Sequence, residues 1–420
     1  MSFQQGLSGL NATSKNLQVI GNNIANANTY GTKVSRAEFS DVYANALNGA
    51  GANSVGIGTT VSTVAQQFTQ GTIKITDNPM DLAINGAGFF QVSAPDSAIS
   101  YTRNGQFKVD REGYIVNNGG QRLMGYATDG LGGVLPGVSA ALQLPTGGIA
   151  PAATTEIGLE FNLDSRSAVT VPFTGPAISF GDARTYNNAT SMTVYDLQGR
   201  EVALTYYFQK SGNNAWNVFA TANGNTLAGT AAAPLPVTTM TFAADGSAPT
   251  APAAPVTIDI PATTLPGGGT TAAIPGVQLN VLSASQFGTS FGVTDATQDG
   301  YAAGQLTAIV VESDGVVTAR YSNGRAQAAG QVELANFRNP QGLQPLGDNR
   351  WARTNASGEA ILGVPGQGNL GVLQAAALEE SNIDLTGELV NMIVAQRIYQ
   401  ANAQTIKTQD QVLQTLVNLR

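Results

Sequence analysis

Two pairs of acidic residues put carboxylates close enough together for acid–base work or for gripping a hard cation: Asp77 with Asp81 in TDNPMDLAI, and Asp110 with Glu112 in VDREG. Each pair sits beside Asn, Pro or Gly of turn type, which accounts for the acids as turn chemistry, and no D-x-[DN]-x-[DN]-G loop accompanies them. A third motif, GQGNLG, sets Gly366, Gly368 and Gly371 in the G-x-G-x-x-G spacing that lets backbone approach a pyrophosphate. A dinucleotide site also needs a strand before the glycines, a returning parallel strand and an acid some way on. Here the text runs through VLQAAAL into a helical pattern that reaches the end of the chain, so the glycines read as a turn. His and Cys are both absent from the 420 residues, which removes imidazole bases, thiolate nucleophiles, disulfides and nearly every zinc, copper or iron site. With no nucleophile–base pair in view, the expectation is a protein that is not an enzyme and takes no cofactor, metal or small-molecule substrate.

What remains is a chain built to fold and to present a neutral surface. Apolar residues make up 42% and aromatics 7%, so burial can drive folding, whereas charged residues are only 11% and leave a surface of Thr, Asn, Ser, Gln and Gly. A net charge of −8 with 20 Lys and Arg and no basic run argues against nucleic acid and against anionic membranes. The start, MSFQQGLSGLNATSK, lacks the basic and apolar blocks of a secretory signal peptide, and no apolar run is long enough to span a membrane.

Helical periodicity is confined to the two ends. Phe3, Leu10, Leu17 and Ile24 recur every seven residues, with Leu7 and Ile20 widening the stripe, and predict an amphipathic helix from residue 3 to about 27, ended by Gly31. Leu385, Met392, Tyr399, Ile406 and Leu413 repeat the same spacing at the other end, after a Ser381-x-x-Asp384 start signal that resembles a capping box. Between them lie short alternating or β-branched strands such as FFQV, GQFKVDREGYIV, LEFNLD, SMTVYDLQGREVALTYYF and AIVVESDGVVTARY, joined by turns at Glu112-Gly113 and Asp314-Gly315. No βαβ alternation occurs, so the fold class expected is mainly β, with a helix at each end. Residues 228 to 278 are rich in Ala, Pro and Thr but keep TMTF and VTIDI, and read as long loops on a β domain.

A helix of about 36 residues is about 54 Å long, and a partner of about 25 residues cannot cover it. The stripe is further widened by Leu389, Val412, Leu416 and Val417. Few charges flank either stripe to specify a two-stranded seam. An intramolecular coiled coil that staples the termini is one reading; the other is that the termini are disordered in the monomer and fold on polymerisation, with neighbouring copies as the missing cover.

The segment NLQVIGNNIANANTYGTK at 16–33, with Asn22, Asn23 and Asn26 in the turn and Gly31 after it, resembles the N-terminal signature of the bacterial flagellar rod and hook family. Thr32 stands where that family has an aromatic residue. The segment SNIDLTGELVNMIVAQRIYQANAQTIKTQDQVLQTLVNLR is similar to the family's C-terminal signature, in its hook-subunit form, and DLAINGAGFFQV, YTRNGQFKVDREGYIVN and ANFRNPQGLQPLGDNRWART extend the likeness over roughly 1–145 and 285–420.

The resemblance implies a folded-back chain. Its terminal helices pair as an inner coiled-coil domain, 1–27 with 382–420; a connecting segment comprises 28–70 and 366–381; a first β domain comprises 71–145 and 285–365; and an outer β domain is inserted at 146–284. It implies that Phe3, Leu10, Leu17, Ile24, Leu385, Met392, Tyr399, Ile406 and Leu413 face the polymer interface. It implies a structural subunit of the hook, a curved flexible tube, in a homopolymer with flagellar rod proteins, a hook cap and hook–filament junction proteins as partners. The expected place is the extracellular flagellum, reached through the type III channel without a cleaved signal peptide. A distal rod subunit is the alternative within the family, though rod proteins are generally shorter and lack the outer domain. A secreted β-rich adhesin is the alternative outside it, and leaves the terminal heptads unexplained.

Overall fold

The computed structural model describes residues 2–42, 56–129, 132–170, 177–265 and 267–418. Parts of the expected segments lie outside the described residues: Met1 and 419–420 of the helical domain, 43–55 of the connecting segment, 130–131 of the first β domain, and 171–176 and 266 of the outer domain, together with the side chains of Leu416 and Val417. The chain is mainly β with two helices, α1 (Ser2–Ala25) and α2 (Leu385–Asn418), one at each end.

Local chemistry sets where the helices stop and start. α1 ends at Ala25, two residues short of the expected limit, in a turn at Asn26, whose backbone N and side-chain Nδ2 both donate to the Asn22 carbonyl, at 3.1 and 2.9 Å. α2 begins at Leu385, not 382. Asp384 is the cap, its Oδ1 accepting from Thr386 N at 3.0 Å, whereas the Ser381 hydroxyl accepts from Ile383 N ahead of the helix. A carboxylate at the positive end of a long helix is the stronger capping group of the two.

The described chain divides into two compact units, one of residues 1–146, 307–320 and 326–420, the other of 147–306 and 321–325. Residues 285–306, expected in the first β domain, fall in the second unit, because Gly292–Gln298 pairs antiparallel with Glu156–Asn162.

In the first unit the hairpin of Ser35–Val42 and Gly58–Gln66 packs on α1. The return of the chain is stitched to its outgoing part twice: Ile73–Ile75 pairs with Ala377–Glu379, and Leu82–Asn85 with Val372–Ala375. A larger antiparallel sheet is centred on Phe89–Ser93 and Arg122–Thr128. Its main core holds Leu82, Ile84, Phe90, Phe107, Leu123 and Val317, and a second cluster gathers Phe89, Tyr101, Phe337 and Trp351. The turns sit where turn chemistry requires them: Gly113 and Gly315 both have positive φ, 88° and 87°.

The second unit is a two-sheet sandwich. One sheet orders Val256–Ile260, Ile274–Asn280, Glu156–Asn162 and Gly292–Gln298; the other is built on Asn188–Tyr195, Glu201–Gly212, Ala215–Ala222 and Thr238–Phe242. Alternating residues of both sheets, Ile157, Leu159 and Phe161 with Leu204, Tyr206, Phe208 and Trp216, fill one shared core. The Ala/Pro/Thr-rich stretch contributes to that core rather than looping over it, since Met240, Phe242, Ile258 and Ile260 are buried there.

Candidate assembly interface

α1 and α2 pack antiparallel, and glycines decide how closely. A Cβ on Gly6 would lie 3.1 Å from Ile406 Cγ1, and one on Gly9 would lie 2.9 Å from Asn402 Nδ2. At the far end Asn23 Nδ2 lies 3.4 Å from Glu388 Oε2. The buried line on α1 is Gly6, Ala12, Thr13, Ile20 and Asn23, and on α2 it is centred on Ala395, with Met392, Asn402 and Ile406 half-buried around it. Two glycines one turn apart let α2 approach on their side.

The seven-residue stripe read from the sequence therefore flanks this seam rather than filling it. Leu10, Leu17, Ile24, Met392 and Ile406 are half-buried, while Phe3, Leu385, Tyr399 and Leu413 are exposed. Leu389, Val390, Ile393, Val394, Ile398 and Val412 add further aliphatic surface to α2. Each of these nine positions of the seven-residue repeat thus keeps surface that the pair itself does not cover.

The Asn-rich turn is a clamp between α1 and the strand that follows. Asn23 is buried; its Oδ1 accepts from Ser35 N at 3.0 Å and its Nδ2 donates to Ser35 O at 2.8 Å, so one amide satisfies both backbone groups. Asn22 is exposed and serves through its carbonyl. Gly31 has φ +72°, and a Cβ there would stand 2.5 Å from Asn104 N, so only glycine fits. Thr32 donates its hydroxyl to Asn349 Oδ1 at 3.0 Å, and Asn349 Nδ2 donates to Tyr30 O at 2.9 Å. Asn382 mirrors Asn23 on the returning chain: Oδ1 accepts from Val34 N at 2.7 Å, and Nδ2 donates to Gln67 O at 2.8 Å.

Beneath this turn lies a charge cluster that sequence reading missed. Glu379 is buried between Lys33 Nζ at 2.6 Å and Arg103 Nη1 at 3.0 Å. Lys33 also donates to Thr69 O at 2.7 Å, Arg103 Nη2 to Gly86 O at 2.8 Å, and Gly71 N to Glu379 Oε1 at 2.9 Å. Burial pushes both cations below their ordinary pKa, and Glu379 opposes the shift in each case. The cluster ties the end of the N-terminal turn, the first β sheet and the strand ahead of α2 into one knot. Its signal in the sequence was slight: isolated charges in a chain that uses charge sparingly.

The residues that could do chemistry are brought into no common site. Asp81 accepts from Thr76 Oγ1 and Asn78 Nδ2, Asp110 accepts from Tyr114 N within its turn, and Glu112 pairs with Arg111. Among the described residues, no group of three or more His, Cys, Asp or Glu could hold a metal ion. GQGNLG is a turn, with Gly366 and Gly368 at positive φ. It leads into the strands Val372–Ala375 and Ala377–Glu379 and then to α2. Gly371 is fixed by packing, since a Cβ would meet Asn85 O at 2.5 Å.

Comparison with known proteins gives this geometry a family. Four regions match described families: residues 3–33 the flagella basal body rod protein, 83–182 the flagellar hook protein FlgE/F/G D1 domain, 162–301 the flagellar basal body protein FlaE D2 domain, and 374–419 the flagellar basal body rod FlgEFG protein C-terminal region. The chain is 43% identical to the flagellar hook protein FlgE of Salmonella typhimurium and 41% identical to that of Escherichia coli, with all of both chains covered in each case. The crystal structure of Helicobacter pylori flagellar hook protein FlgE2 shares the fold, with a TM-score of 0.55 at 15% identity, over 73% of this chain and 100% of that one. Full-length identity at this level, with family matches at both termini and in both β regions, places the chain in the flagellar hook protein FlgE family.

Proposed function

We propose that the chain is a structural subunit of the bacterial flagellar hook that self-assembles into a curved, flexible tube and passes motor torque to the filament as a universal joint. The observation that carries this reading is the paired terminal helices, whose apolar stripes keep exposed surface from Phe3 to Leu413, in a chain similar along its whole length to hook proteins. Such helices reach full burial only against copies of themselves.

A joint needs inner contacts that hold while outer ones shift. A chain with 11% charged residues offers outer contacts of small neutral side chains, which part and re-form without breaking desolvated ion pairs. In this reading the chain lies outside the cell, and its partners are the chain itself, flagellar rod proteins below, a hook cap during growth and hook–filament junction proteins above. Export runs through the flagellar type III channel, and a chain free of cysteine threads that bore without disulfides to obstruct it.

Electron microscopy of the purified chain, with and without residues 1–27 and 382–420, tests the reading. Curved tubes from the full chain and none from the truncated one are expected; straight rigid rods would favour a distal rod subunit, and a chain that stays monomeric under all assembly conditions would overturn the proposal.

A further inference from the structure

Two uncovered surfaces of the helix pair lie at opposite ends of it. One is the stretch of α2 beyond Gln409, where Val412 and Leu413 have 48% and 51% of their surface exposed. The other is a groove where α1, α2 and the strand Ser35–Val42 converge, with a volume of about 310 Å³, lined by Val19, Ile20, Ala37, Val394, Ala395 and Ile398. Gln67 lines the same groove, and its Nε2 is buried without a hydrogen-bond partner. A buried donor without an acceptor is a vacancy that proteins generally fill. Arg397 stands exposed beside Ile398.

The tail carries what the groove lacks. Val412 and Leu413 supply the apolar knobs, and exposed Gln411 and Gln414 supply amide oxygens, while the groove's own charges, Arg36 and Glu388, are of opposite sign. Leu413 also continues the seven-residue line of Met392 and Ile406, two residues that the helix seam already accommodates. A tail meeting a tail across a twofold axis would close a dimer. A tail meeting the groove of the next copy is a heterologous contact, and it repeats without limit.

We propose that the α2 tail of one copy, centred on Val412 and Leu413, seats in the groove between Ile20, Val394 and Ile398 of a second copy, with a tail glutamine accepting from Gln67. The proposal rests on the hook-subunit reading, since it requires a self-assembling chain, and it specifies the contact by which copies join.

Because the chain has no cysteine, introduced thiols meet only each other. Leu413→Cys and Val394→Cys chains, mixed, assembled and then oxidised, are expected to give a disulfide-linked dimer. A mixture of Leu413→Cys with Leu197→Cys, whose thiol replaces an exposed residue of the second unit, sets the background. Leu413→Asp is expected to raise the protein concentration needed for assembly by about tenfold or more, and Leu413→Met to leave it near that of the unmodified chain. Tubes that form with 394–413 linkage no higher than background would overturn the docking and leave the subunit reading standing. An unmodified chain that never assembles would overturn both.

Discussion

Lys33 Nζ stands 2.6 Å from Glu379 Oε1, with both side chains wholly removed from water and the two residues 346 positions apart in the chain. Arg103 holds the other carboxylate oxygen, so one acid neutralises two cations. Glu379→Gln would leave both cations buried without a counter-charge and is expected to destabilise the first unit by roughly 3–5 kcal/mol, seen as a lowered midpoint in denaturant unfolding. A loss below about 1 kcal/mol would show that the cluster is solvated in solution.

Asn22 and Asn23 are neighbours in one motif but do unequal work. Asn23→Ala would strand the Ser35 N–H and C=O and should cost about 1–3 kcal/mol, whereas Asn22→Ala removes an exposed side chain and should stay within about 0.5 kcal/mol. Chemical unfolding of the two variants side by side decides it; equal losses would contradict the clamp.

Glu333 is buried, accepts from the Ser139 hydroxyl through Oε1, and has no hydrogen-bond partner for Oε2. Burial raises its pKa above the ordinary carboxylate value, and the bond from Ser139 opposes the shift. The folded chain thus binds this proton more tightly than the unfolded one. Its contribution to stability is complete below the unfolded pKa and is lost as pH rises through the folded pKa. Glu333→Gln should therefore match the unmodified chain near pH 4 and exceed it in stability at pH 7 to 8; an unchanged difference across that range would refute the assignment.

The two tryptophans report on separate units, Trp216 in the sandwich core and Trp351 in the aromatic cluster of the first unit. With Trp351→Phe as background, Phe208→Ala should lower the unfolding midpoint followed by Trp216 fluorescence, at a cost of about 3–5 kcal/mol for the emptied ring site. Phe208 touches both Phe161 and Phe291, with ring centroids 4.6 and 5.7 Å away, so a smaller loss would mean that the sheets close over the gap.

Periodicity and turn chemistry made most of the fold legible, because they are local. The terminal helices and the hairpins around Glu112-Gly113 and Asp314-Gly315 could be read from residues close together in the chain. Seam geometry was not legible: a seven-residue repeat shows which face is apolar, but the close approach at Gly6 and Gly9 moves the buried line onto Thr13 and Ile20. The Lys33–Glu379–Arg103 knot joins positions far apart in sequence, and no spacing rule links them. The same holds for residues 285–306, whose strand Gly292–Gln298 finds its partner at Glu156–Asn162, with Val293 opposite Phe161 and Gly292 opposite Asn162.

The crossover between the helix pair and the β body depends on neutral amides, Asn23, Asn349 and Asn382, and on ions sealed beneath them. Dissolved salt weakens attraction between charges that face water and has little hold on groups of these two kinds. A crossover made this way keeps one geometry in fresh water and in brine, so the bearing of the helices on the rest of the first unit does not drift with the medium around it.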